Sequence, residues 1–101
     1  MDRVNWREML QLAPNMQAVD ALMRDYVQSI SQLLGALPEG CQRALTGELD
    51  IQAAAVELLH AELHFDGSEQ AREFLHDVAH TFAAAAVRIT LLHRMPAGPG
   101  I

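Results

Sequence analysis

The chain has 101 residues, half of them apolar, enough for one domain with a core of its own. Its formal charge of −6 is concentrated: eight acids (Glu48, Asp50, Glu57, Glu62, Asp66, Glu69, Glu73 and Asp77) face one base, Arg72, between Glu48 and Asp77. That acidity repels phosphate backbones and argues against nucleic acid as a partner. No run of about 18 uncharged apolar residues is present, so no membrane span is expected.

In chain order, residues 4–12 predict a short helix carrying Trp6, Met9, Leu10 and Leu12. It stops before Ala13-Pro14, because a residue preceding proline avoids helical ψ. Trp6 is expected to lie over the open end of a bundle. Asn15 can cap the next helix, residues 16–36. Its apolar positions Met16, Val19, Met23, Tyr26, Ile30, Leu33 and Leu37 alternate steps of three and four, the seam of a bundle helix. Asp20, Arg24, Asp25, Gln28, Ser31 and Gln32 make the solvated side.

Pro38 opens a short helical piece, residues 38–45, and Gly47 suits a left-handed C-terminal cap. Cys41 falls in this piece and reads as a small apolar filler. As the single cysteine it allows no intramolecular disulfide, which fits a reducing compartment. The first residues lack the apolar run of a secretion signal. The expected location is therefore cytoplasmic.

Asp50 caps a third main helix, residues 51–65, with Ile51, Ala54, Ala55, Leu58, Leu59 and Phe65 on its apolar side. Asp66-Gly67-Ser68 is a tight turn, with Gly67 taken as the residue just past the helix end and Ser68 or Asp66 as the next cap. So short a connection forces an antiparallel α-hairpin. The last helix, residues 68–94, carries the seam Ala71, Leu75, Val78, Phe82, Ala85, Ile89 and Leu92. A second apolar stripe, Ala84, Val87 and Leu91, is expected on the opposite side near the C-terminal end. A helix apolar on two sides must be covered twice, and a second copy of the chain is the expected second cover. Arg88, beside that stripe, is expected either to reach past Ala84 to water or to pair with an acid across the interface. Met95-Pro96 ends the helix. Residues 1–95 read as one helical domain and 96–101 as a loose tail.

One pattern repeats. Glu57-x-x-His60-x-x-x-His64 is followed sixteen residues on by Glu73-x-x-His76-x-x-x-His80. Spacings of three and seven share a helical face, and two imidazoles four apart can chelate Zn²⁺ or another transition metal. Glu57, His60, His64, Glu73, His76 and His80 are thus candidate metal ligands. The alternative is solvated histidines: at 100° per residue both faces point away from their helices' apolar seams, outward and not at each other.

The repeat resembles part of the di-iron carboxylate pattern of ferritin-like proteins. Those place a further long helix between the two motif helices, whereas here they are consecutive. Asp20 and Asp25, on a polar face, do not supply the extra carboxylates. Ala79-His80-Thr81-Phe82 is similar to the phospho-accepting helix of histidine phosphotransfer domains, but Ala83 and Ala84 stand where those carry Lys and Gly. Arg88 and His93 have the Arg-x4-His spacing of HEPN-type ribonucleases, with Ile89 in place of their polar residue. No nucleophile elbow, phosphate loop or Gly-rich cofactor fingerprint is present, and no residue is assigned a catalytic role.

The sequence thus predicts an all-α fold. It is a small up-and-down bundle of three main helices plus short helical segments, four-helix-like, closed by a C-terminal α-hairpin. The expected role is a cytosolic protein–protein interaction module without catalytic activity. It would be homodimeric through Ala84, Val87, Arg88 and Leu91, and open to a different protein partner. The alternative is a transition-metal-binding protein using the histidine faces.

Overall fold

A computed structural model describes residues 5–46 and 50–94. Val4 of the expected opening helix, the Gly47 cap and the C-terminal tail lie outside them. The fold is all-α, with no strand among the described residues. Its helices are α1 (Trp6–Gln11), α2 (Met16–Ser29), a 3₁₀ segment (Ser31–Ala36), α3 (Glu39–Leu45), α4 (Ile51–Leu63) and α5 (Glu69–Arg94).

Four of these helices start on a side-chain oxygen that accepts a backbone N–H left free in the first turn. Asn5 accepts from Glu8 at 3.1 Å, Asn15 from Ala18 at 2.9 Å, Asp50 from Ala53 at 2.7 Å and Ser68 from Ala71 at 3.1 Å. Each such cap contributes about 1 kcal/mol. The expected caps Asn15, Asp50 and Ser68 are thus in place.

α5 is the axis of the molecule. It packs most extensively on α4, its antiparallel hairpin partner, and also touches α1 and α2, while α3 lies on α4. Leu58 of α4 and Leu75, Val78 and Ala85 of α5 are completely buried. Full burial of one such leucine contributes about 1.5–3 kcal/mol. The molecule measures 52 × 33 × 20 Å. Its thin dimension equals about two helix diameters, so a central helix in such a slab cannot be enclosed on every side.

A polar knot fastens α1 and α2 to α5. The Tyr26 hydroxyl donates to Asp77 Oδ2 at 2.8 Å, and Arg7 Nη2 donates to Asp77 Oδ1 at 3.0 Å. Trp6 stands edge-on to the Tyr26 ring, centroids 5.6 Å apart, and Tyr26 stands edge-on to Phe82 at 6.5 Å. Burial pushes the Tyr26 phenol well above its ordinary value, and the neighbouring Asp77 carboxylate adds to the effect, although Thr81 pulls the other way. Trp6 is therefore the first of three rings packed edge-on in succession.

Two expectations change. The second helix does not stay α-helical to Ala36. Its α-helical part ends at Ser29, and residues 31–36 tighten to 3₁₀. The Ser29 hydroxyl donates to the Tyr26 carbonyl at 2.6 Å, competing with the backbone ladder. Downstream, Gly35 is a poor helix former and Leu37, before Pro38, is extended with ψ 155. The tighter winding turns Leu33 out of the seam, leaving it 55% exposed, while Leu37 returns to the core.

Gly67 is not the residue just past the end of α4. The helix ends at Leu63 with His64 as its cap, three residues earlier. Gly67 instead makes room: a Cβ there would sit 2.4 Å from the Phe65 ring. That ring lies under the Arg72 guanidinium, 5.8 Å from its centroid, and Arg72 also donates to the Phe65 carbonyl at 3.2 Å.

Candidate functional site

The α4–α5 hairpin presents one face that runs from its turn to its far end. On α5 the positions His76, His80, Ala83, Val87 and Leu91 follow one another at steps of four and three, a single helical stripe. On α4 the opposite rail descends from Glu62 through Leu59 and Val56 to Gln52. The two ends of this face differ in chemistry.

At the turn end, the His76 and His80 rings lie against each other, centroids 4.0 Å apart and planes tilted by 36°. Glu62 reaches across from α4 and gives one carboxylate oxygen to each. Oε2 meets His76 Nδ1 in hydrogen-bond contact, and Oε1 lies 3.4 Å from His80 Nε2. One ligating atom from each of the three residues falls within 4.8 Å of the others. Glu62 is held against the hairpin with its side chain 21% exposed, whereas the His76 side chain is 53% exposed. The α5 histidines therefore do not look away from α4 as helical projection suggests; they flank the seam on its α4 side.

The remaining histidine-pattern residues fall elsewhere. His60 and His64 lie side by side on α4, centroids 4.7 Å apart with their planes tilted by 56°, both exposed. Glu57 and Glu73 are exposed and do not belong to the three-residue group. Glu57 instead acts on α3. Burial raises the Cys41 thiol above its ordinary value, and the Glu57 charge adds to that. Cys41 is buried at 2% exposure, so the thiol is kept protonated and shielded. Glu62 is the member of this group that reading each helix alone misses. The repeat fixed attention on the acid three residues before each histidine, whereas the acid that matters comes from the facing helix.

At the far end the face becomes apolar. A shallow groove of about 450 Å³ runs between the helices, bordered by Val56, Leu59, Ala83, Ala86, Val87 and Leu91. Val56, Val87 and Leu91 stand out of it at 68%, 59% and 46% exposure. Gln52 Nε2 donates to Thr90 Oγ1 at 3.1 Å, a cross-tie along this stretch. Ala84 is half-buried beside the groove. Arg88 is turned away from it. Its Nε donates to the Ala13 carbonyl at 2.8 Å, closing the α1–α2 connection onto α5. Through Nε, that guanidinium serves the fold of its own chain.

Comparison with protein-family models, with curated proteins and with solved structures finds no match for this chain. No described helix is long and apolar enough to cross a membrane.

Proposed function

We propose that the chain is a small helical interaction module that pairs with a second copy of itself through the apolar end of the α4–α5 face. The observation that carries this reading is the exposure of Val56, Val87 and Leu91 around a dip floored by half-buried Ala83 and Ala86. Large apolar side chains adjoining small ones on one face are self-complementary. A two-fold axis sets the knobs of one copy into the hollows of the other. Two hairpins joined this way form a four-helix arrangement, the common solution for helices with two apolar sides. Apolar patches larger than a few hundred Å² on soluble proteins mark contact surfaces. The lone buried cysteine fits a cytosolic setting.

Relative to the sequence reading, the interface keeps Val87, Leu91 and the flank at Ala84, gains Val56 and Leu59 from α4, and gives up Arg88. Sedimentation of the untagged protein at micromolar concentration should show a dimer. Leu91→Asp should return it to monomer, because an unpaired carboxylate in an apolar contact costs several kcal/mol. A wild-type chain that sediments as a strict monomer up to high-micromolar concentration would remove the proposal.

A further inference from the structure

The geometry points to a divalent transition-metal site at the turn end of the hairpin, with Glu62, His76 and His80 as its protein ligands and Zn²⁺, Co²⁺ or Ni²⁺ as the ions it would take. Its evidence is separate from the apolar groove, and it does not depend on pairing between copies.

The ligand set fits this class of ion. Imidazole nitrogen and carboxylate oxygen suit zinc and its neighbours in the first transition row, whereas calcium and magnesium prefer all-oxygen cages. Bonds of about 2.0–2.1 Å in a tetrahedral site place neighbouring ligand atoms about 3.3 Å apart. His80 Nε2 and Glu62 Oε1 already stand at 3.4 Å. The other Glu62 oxygen, Oε2, is in direct contact with His76 Nδ1, so both imidazoles face the same carboxylate.

The scaffold also fits. The two histidines are four apart on the rigid 26-residue α5, so their separation is fixed by helix geometry. Glu62 comes from the last turn of α4, beside the short connection that locks the two helices together. Three protein ligands would leave a fourth tetrahedral position for water, and the His76 side chain is half-exposed. His60 and His64 share the four-residue spacing, yet no third ligand joins them within the same reach among the described residues. The two histidine pairs are therefore inequivalent, although their sequence motifs are the same.

The discriminating experiment is calorimetric titration of the untagged protein with Zn²⁺, with the Co²⁺ visible spectrum as a second readout of coordination. Wild type should bind one Zn²⁺ per chain and give the intense d–d bands of a low-symmetry Co²⁺ site. His76→Gln/His80→Gln should lose the site. Glu62→Gln should weaken it about tenfold or more, the size expected when a coordinating or orienting carboxylate is removed. His60→Gln/His64→Gln should leave affinity within about twofold of wild type, since neither ring belongs to the group formed by Glu62, His76 and His80. Circular dichroism verifies that each variant is folded. His76→Phe with Glu62 intact provides a second test if the double variant unfolds. Equal affinity in wild type and in the folded His76 and His80 variants would overturn the assignment. So would a site that survives those changes and disappears with His60 and His64.

Discussion

The two ends of the α4–α5 face are built on the same pair of helices and the same spacing, yet they do opposite things with it. Near the turn, positions 76 and 80 hold imidazoles drawn together under a carboxylate, so the polar groups on that rim have partners within the chain. Farther along, positions 83, 87 and 91 hold alanine, valine and leucine, and two of those three are exposed with nothing over them. The difference teaches that periodicity places side chains on a face but does not say what covers that face. Polar side chains can satisfy one another locally. Apolar ones need area, which a slab two helices thick does not supply.

The largest effect should come from damaging the floor that both ends share. Leu58 is completely buried beneath the hairpin, and Leu58→Ala should lower unfolding free energy by about 2–5 kcal/mol in a denaturant titration. A loss that small surface changes reproduce would mean that the hairpin is not the core of the molecule.

A smaller effect is expected at the knot that holds α2 and α1 against α5. Tyr26→Phe removes the hydroxyl bonded to Asp77 and should cost about 1 kcal/mol, with Asp77 keeping Arg7 as its partner. The same side chain confers a pH dependence. Its ionisation is shifted upward from 10.0 in the folded state, chiefly by burial, so the unfolded chain releases the proton first. The stability it contributes is full below about pH 10 and falls as the solution becomes more alkaline. Wild type should lose stability above that point faster than Tyr26→Phe, a contrast that thermal melts at two alkaline pH values would read directly.

The smallest effects sharpen the comparison itself. In metal-free protein, Glu62→Gln should change stability by no more than about 1 kcal/mol, because His76 is half-exposed and solvent screens the pair. Leu91→Asp, studied where the chain is monomeric, should move stability by about 0.5 kcal/mol or less, since the side chain already faces water. Thermal melts of the two variants at low concentration check both values. A large loss from Leu91→Asp under those conditions would place that leucine inside its own chain's core and leave the apolar end without a surface to offer.

Much of the architecture was legible because it rests on local signals. Asn15, Asp50 and Ser68 cap their helices as their chemistry requires, and the α5 seam from Leu75 through Val78, Phe82 and Ala85 to Ile89 is buried throughout. The seam of α2 was legible only to Ile30, since the switch to 3₁₀ depends on a serine back-bond and on restraints downstream at Gly35 and Pro38. The candidate site was half legible. His76 and His80 announce themselves by spacing, but Glu62 belongs to the partner helix. Its role depends on how far each helix is rotated about its own axis, and no single-helix projection contains that angle. Arg88 failed for a similar reason: its acceptor, the Ala13 carbonyl, lies 75 positions away and is a backbone group that side-chain pairing rules do not anticipate.

That bond has a consequence for how the chain comes together. The hairpin closes over a short loop and can assemble early, but α1 is six residues long, too few to persist in isolation. Its seat exists only once Arg88 and Asp77 are both fixed on a completed α5. The N-terminal helix should therefore dock last and open first, and its amide protons are expected to exchange with deuterated solvent well ahead of those in the hairpin it fastens.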